Sequence, residues 1–228
     1  MNTTTSAIAI IPARGGSKGI PNKNLINFAG KPLIVWTIEQ IIRCKSVADV
    51  YVSSDCEEIL ATAKAAGAKT IKRPSIIAKD TSTSEESLSH FLDTLDVSPT
   101  AVVFLQATSP LREPKDIDNA MNLFIEKELD SLFSAVSSED MCLWAVNNEV
   151  CESLNYDYKN RKRRQDIHGQ VIENGSFYIF KPSIMKKYNN RLGGRIGFYL
   201  MDKWKIHEID DLEDLEMCKY IFINKGLG

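Results

Sequence analysis

The stretch PARGGSKGIPNKN at residues 12–24 sets three cations, Arg14, Lys18 and Lys23, around the adjacent glycines Gly15 and Gly16. Groups of this kind gather on a phosphate when a strand ends in a glycine-rich turn, because backbone N–H groups and side-chain cations then converge on one anion. The glycines let the backbone come close to an oxygen, and the cations match the charge of a triphosphate. A solvated basic turn is the plainer reading of the same residues. Neither G-x-G-x-x-G nor G-x-x-x-x-G-K-[ST] occurs in the chain, which weakens the dinucleotide and P-loop ATPase readings.

The surrounding elements place this loop where ligands are usually bound. Residues 7–13 form a continuous apolar run that reads as a strand buried on both faces, and a helix follows from Pro32. DVYVSSD (49–55) reads as a second strand, EEILATAKAAG (57–67) as a helix, KTIK (69–72) as a short strand, SEESLSHFLDTL (84–95) as a helix and AVVFLQ (101–106) as another buried strand. Alternation of strand and helix up to about residue 127 gives an α/β fold: an open, mostly parallel twisted sheet with helices on both faces. In such sheets ligands sit beyond the carboxyl ends of the strands, where the strand order reverses. The residues to watch are therefore Arg14–Asn24, Ser53–Asp55 and Gln106–Arg112.

After SLFSAVS (131–137), which is strand-like, residues 138–170 are polar, lack a helical period and carry the charge run KNRKRRQD at 159–166. A loop this long inside a compact domain is usually functional, or packs on a partner. NGSFYIF (174–180), IGFYLM (196–201) and KIHEI (205–209) read as strands, and residues 210–223 as a closing helix with acids in its first turn.

The 228 residues are 43% hydrophobic and carry a net charge of -2, enough for one cored domain spanning 1–228 and too little positive field to draw the chain onto nucleic acid or an anionic membrane. Five cysteines without a C-x-x-C pair suit reduced thiols in the cytoplasm, and the first apolar stretch is too short for a signal core or a membrane span. The three histidines, His90, His168 and His207, show no ligand spacing.

IPARGGSKGIPNKN, LQATSPLR (105–112), RRQD (163–166), ENGSFYIF (173–180) and EIDDLEDL (208–215) together resemble, in order and spacing, the cytidylyltransferases that activate sialic acid and related nine-carbon sugar acids. The resemblance covers nearly the whole chain. It implies transfer of a nucleotidyl group from CTP to the anomeric hydroxyl of a sialic or legionaminic acid-like sugar, giving CMP-sugar and pyrophosphate, with Mg²⁺, or Mn²⁺ in its place, as cofactor. It also implies a homodimer in which the 138–170 arm completes the partner's sugar site. Because the sugar hydroxyl is itself the nucleophile, no Ser/His/Asp or Cys/His constellation is needed.

Carried over motif by motif, the resemblance puts Arg14, Gly15, Gly16, Lys18, Lys23 and Asn24 on the nucleotide, with Lys23 the leading catalytic cation. Arg73, Ser84 and Thr108 join them on the nucleotide, although a salt bridge and a helix cap suit Arg73 and Ser84 as well. Gln106, Ser109, Arg112, Arg164, Gln165, Asn174 and Tyr178 fall to the sugar, where an arginine matches a carboxylate in bidentate geometry. Arg112 fits equally as a structural ion-pair partner, and Tyr178 as core packing. For the metal the family uses two acids one residue apart; here they are Glu208 and Asp210, projecting the same way on an extended backbone, with Asp211 left to cap the last helix.

Two departures leave alternatives open. A glutamate stands where the family has an aspartate at 208, and Ile172-Glu173 stand where some members carry an arginine. The alternatives are a cytidylyltransferase for another acid, such as pseudaminic acid or Kdo, and a binding protein for nucleotide or sugar acid that has lost its chemistry.

Overall fold

The computed structural model describes residues 7–17, 19–96, 98–138, 141–163, 166 and 169–228. Its main sheet has seven strands: β1 (Ala7–Pro12), β4 (Val47–Ser54), β5 (Lys69–Lys72), β6 (Val102–Leu105), β7 (Ser131–Ser137), β10 (Val171–Phe180) and β11 (Ile196–Met201). They lie in the order β11-β7-β10-β6-β1-β4-β5. Only β10 runs against its neighbours, and it pairs antiparallel with both β6 and β7. Strand β1 sits centrally, with Ile10 opposite Tyr51 of β4 and Phe104 of β6. Its residues Ala9, Ile10 and Ile11 are fully buried, as a strand covered on both faces requires.

Helices α1 (Leu33–Ile42), α2 (Glu57–Ala65) and α4 (Pro114–Glu126) cover one face through Ile34, Ile38, Ile59, Ala63, Ile117 and Phe124. Helices α3 (Ser84–Asp93) and α5 (Pro182–Tyr188) cover the other, where Leu88, Phe91 and Met185 pack on Ile8, Ile10, Phe104 and Phe180. The last helix, α6 (Leu212–Asn224), docks behind α1: Phe222 meets Trp36 and Phe28 edge-on at centroid distances of 4.7 and 5.0 Å. Each fully buried large apolar side chain in these layers contributes about 1.5–3 kcal/mol.

Three features differ from the sequence expectation. KIHEI forms no strand: Lys203–Ile206 is a 3₁₀ turn and residues 207–209 lie outside the sheet. The alternation there is real, because Lys205 and Ile209 are both buried, but their partners are α4 and the 106–112 loop rather than a neighbouring strand. Within 138–170 a two-stranded hairpin appears, β8 (Trp144–Asn147) with β9 (Val150–Ser153), turning through Asn148 and Glu149 in left-handed conformations. Small strands β2 (Asn27–Phe28) and β3 (Lys31–Pro32) also form a hairpin in front of α1.

Candidate active site

Strand order reverses between β1 and its neighbours β4 and β6, and the loops leaving β1 and β6 part there to frame a cleft of about 520 Å³. Arg14, Gly19, Lys23 and Asn24 line it from the first loop, Gln106 and Thr108 from the second, Arg73, Thr83 and Ser84 from the α3 side, and Asp210 from the C-terminal segment. Of the expected residues, Lys18, Arg164 and Gln165 lie outside the described ones.

The first loop is held in three places. The Gly15 N–H donates to Asp55 Oδ1 at 3.0 Å, at the end of β4, and a Cβ on Gly15 would come within 2.9 Å of the Cys56 Cβ. A Cβ on Gly16 would meet nothing within 4 Å. Asn22 in a left-handed conformation turns the chain into a short 3₁₀ segment, Lys23–Leu25, and the Asn24 amide donates to Arg14 O at 3.1 Å. Gly19, which sequence reasoning passed over, abuts the Asp210 carbonyl so tightly that any side chain there would overlap it.

Lys23 Nζ donates to Ile209 O at 2.9 Å and to Asp210 Oδ1 at 3.0 Å. The phosphate-type loop and the acidic segment are thereby clamped together although 187 residues separate them. Arg14 pairs with Asp80 across the cleft mouth.

Among the described residues Arg73 is the least satisfied, with two buried nitrogens lacking a hydrogen-bond partner. It is 6% exposed, bonds Ser87 Oγ, and has Asp55 Oδ1 4.0 Å from Nη2; Nε and Nη2 find no hydrogen-bond partner among the described residues. Burial lowers its pKa, with Asp55 opposing and the Arg14 charge adding to the fall. A buried guanidinium with open donors on a cleft wall is built for an anion. Thr83 caps α3 through a capping box with Glu86, so Ser84 stands at the first helical position rather than as the cap.

On the second loop, Gln106 Nε2 donates to Gly175 O at 2.7 Å and Thr108 Oγ1 donates to Glu208 Oε1 at 2.5 Å. Several expected sugar residues do not open onto the cleft. Arg112 is 1% exposed: Nη1 donates to Ser176 O (2.8 Å) and Gln106 O (3.1 Å), and Nη2 to Thr37 Oγ1 (3.1 Å). Burial pushes its pKa down to about 9 against the pull of Asp116. Its place is behind the loop, pinning β6 to β10 and α1. Asn174 is also enclosed, donating to Lys205 O at 3.0 Å and accepting from Ser134 Oγ at 2.6 Å, and Ser109 is buried. Tyr178 stacks on Phe104 at 5.5 Å, bonds Glu173 and sits under Arg191; burial first, then the Glu173 bond, raises its pKa to about 12. That is the core-packing alternative for Tyr178.

For a divalent ion the available donors are few. Asp210 has an exposed carboxylate on the cleft wall, and Mg²⁺ accepts one or two carboxylates beside water and phosphate oxygens, so Asp210 fits. Glu208 has one oxygen engaged by Thr108. Among the described residues no three acids, histidines or cysteines gather closely enough to hold an ion by themselves. Asp211 caps α6 in a capping box with Asp214.

A family model described as "Cytidylyltransferase" matches residues 8–225. The chain is 35% identical over 196 residues to the N-acylneuraminate cytidylyltransferase of Oncorhynchus mykiss, covering 85% of this chain and 45% of that protein. It is 30% identical over 221 residues to a pseudaminic acid cytidylyltransferase of Campylobacter jejuni, covering 94% of this chain and 95% of that one. The chain thus spans about half the length of the N-acylneuraminate relatives and nearly all of the pseudaminic one. Among solved structures, CMP:2-keto-3-deoxy-manno-octonic acid synthetase complexed with CTP superposes with a TM-score of 0.74 at 17% identity, over 97% of this chain and 100% of that one. At that identity the likeness concerns the fold.

Proposed function

Because the chain belongs to the cytidylyltransferase family, we propose that it transfers a cytidylyl group from CTP to the anomeric hydroxyl of a nine-carbon 2-keto sugar acid, giving CMP-sugar and pyrophosphate. The observation that carries the reading is Arg73, a buried cation with open donors on the wall of a cleft that also presents Arg14 and Lys23. Such a wall is complementary to a polyphosphate and has no evident use in a protein that binds only a neutral sugar. The nine-carbon class is supported by the names of the relatives, which act on N-acylneuraminate and pseudaminic acid.

In this reading the loop after β1 cradles the triphosphate, with Arg14 and Arg73 neutralising its oxygens. The anomeric hydroxyl attacks the α-phosphorus and gives up its proton to water, the bond from that phosphorus to the bridging oxygen breaks, and pyrophosphate leaves with the electron pair. Lys23, held by Ile209 O and Asp210, stabilises the charge that grows on the phosphate oxygens. Asp210 would hold Mg²⁺, which when bound neutralises the phosphates further. The protein's part is positioning, which in well-oriented reactions supplies about 7–11 kcal/mol of the barrier.

The hairpin of the 138–170 arm exposes Trp144, Val146, Val150 and Leu154, an apolar set suited to a second copy of the chain, and a homodimer is part of the proposal. Unpaired cysteines point to a reducing compartment such as the cytoplasm. No helix among the described residues is long and apolar enough to cross a membrane.

The test is pyrophosphate release from CTP and Mg²⁺ with N-acetylneuraminic, N,N'-diacetyllegionaminic, pseudaminic acid and Kdo supplied separately. Release with a nine-carbon acid supports the reading, and the responding acid identifies the substrate. Silence with all four, alongside measurable CTP binding, refutes the transfer and leaves a binding protein.

A further inference from the structure

We infer that Glu208 is not a ligand of the metal ion but the group that fixes Thr108 as a hydrogen-bond acceptor for a hydroxyl of the sugar acid, an inference that rests on the function proposed above. Thr108 Oγ1 donates to Glu208 Oε1 at 2.5 Å. An ionised carboxylate only accepts, so the single hydroxyl proton of Thr108 is committed to Glu208, and what remains for the cleft is the oxygen's lone pairs. Lone pairs attract an O–H or N–H donor and repel a phosphate oxygen. Thr108, which lines the cleft, is therefore set to read the sugar rather than the triphosphate.

The two acids also turn toward opposite walls. Asp210 joins the cationic wall: its Oδ1 lies 3.0 Å from Lys23 Nζ and its carbonyl abuts Gly19. Glu208 joins the wall built by β6 and β10. A Cβ on Gly175 would stand 3.3 Å from Glu208 Oε2 and 2.6 Å from Gln106 Nε2, so Glu208, Thr108, Gln106 and the Gly175 turn form one patch. Gly175 has a φ of +66°, and a side chain there would be both strained and obstructed. The Ile209 N–H donates to Thr108 O at 2.8 Å, so the backbone holds the same two segments in register. The residue type fits as well: an aspartate at 208 would end about 1.5 Å short of the Thr108 hydroxyl.

The experiment uses three single variants at Glu208 and Thr108 and one double variant, with Asp210→Asn as reference. Mn²⁺ affinity of the enzyme–CTP complex is read by electron paramagnetic resonance, which needs no turnover, and steady-state kinetics give KM for CTP and for the sugar separately. Glu208→Asp restores a paired-aspartate pattern and loses the reach to Thr108, so it raises the sugar KM about 10- to 100-fold, the usual scale for a lost charge-assisted bond, and leaves the KM for CTP and the Mn²⁺ affinity within about twofold. Thr108→Val raises the sugar KM similarly, and the double variant is no worse than either single one. Glu208→Gln keeps an acceptor for Thr108 but loses the charge, and it leaves Mn²⁺ affinity within about twofold, whereas Asp210→Asn weakens it by about tenfold or more. A tenfold loss of Mn²⁺ affinity in Glu208→Gln, additive effects of Glu208→Asp and Thr108→Val, or a rise in KM for CTP instead of the sugar overturns the inference. Failure of the parent protein to make any CMP-sugar refutes the proposed function instead, and the Mn²⁺ comparison remains readable in that case.

Discussion

Replacing Arg73 with methionine should separate binding from stability, because the guanidinium serves the ligand at the expense of the empty protein. In the free chain it is almost fully buried, keeps one bond to Ser87 and leaves Nε and Nη2 without a hydrogen-bond partner among the described residues. Each unsatisfied buried polar group costs about 1–3 kcal/mol, and the bond to Ser87 returns about 1.5–3 kcal/mol. Methionine keeps the volume, removes two such penalties, about 2–6 kcal/mol together, and gives up the one bond, so Arg73→Met is expected to lose no more than about 1 kcal/mol of stability against the parent. At this chain length that is a shift of about 2–4 °C in Tm. Toward CTP the two effects no longer cancel. One charged hydrogen bond to phosphate is lost with no compensation, about 1.5–3 kcal/mol, which weakens CTP binding about 10- to 150-fold. Isothermal titration with CTP beside thermal unfolding without it reads both quantities. Unchanged CTP affinity would refute the role given to Arg73. A fall of several kcal/mol in stability would show instead that the guanidinium is a structural ion-pair partner of Asp55.

Further predictions follow from the packing and the titrating groups. Gly19→Ala should push Asp210 away from Lys23 and lower kcat/KM by about tenfold or more while circular dichroism stays that of the parent, since the clash lies between two surface segments. Burial pushes the thiols of Cys44 and Cys218 up to about 12, so at pH 8 both stay protonated and resist a thiol reagent until the chain is unfolded, whereas the exposed Cys151 reacts at once. Glu113 is raised by burial but held lower, on balance, than its ordinary 4.5 by hydrogen bonds from Lys205 and Lys115. A carboxyl lowered on folding stabilises the fold above its unfolded pKa, and that support is lost as pH falls through the folded value. The urea midpoint should therefore drop progressively below about pH 4.5, and Glu113→Gln should flatten the drop.

Elements whose pattern follows from local chemistry were legible in the sequence. The buried β1 run, the exact span of KTIK and the last helix with its Asp211 cap needed only periodicity and end signals. The first loop was legible because glycine and cation types converge there before any fold is assumed. Tertiary context decided the rest. KIHEI alternates like a strand because Lys205 is buried on the carboxylates of Glu113 and Asp116 at 2.7 Å each, a pairing that no local pattern shows. The β8–β9 hairpin turns on Asn148-Glu149, and glutamate is a poor marker of a left-handed turn. Arg112 and Asn174 have the right types for a sugar site, yet both are enclosed, because their bonds go to carbonyls that converge only when β6, β10 and the 203–206 turn meet. Gly19 carried a signal in being a third glycine in the loop, and its reason, the Asp210 carbonyl, lies at the other end of the chain.

The bond made to the α-phosphorus can be followed with a sugar acid carrying ¹⁸O at the anomeric hydroxyl, incubated with CTP and Mg²⁺ and read by mass spectrometry. Attack of that hydroxyl on the α-phosphorus places the label in the bridge of the CMP-sugar and leaves pyrophosphate unlabelled. Unlabelled CMP-sugar formed from sugar acid that still carries its label, or CTP bound without any CMP-sugar formed from a nine-carbon acid, would contradict this transfer.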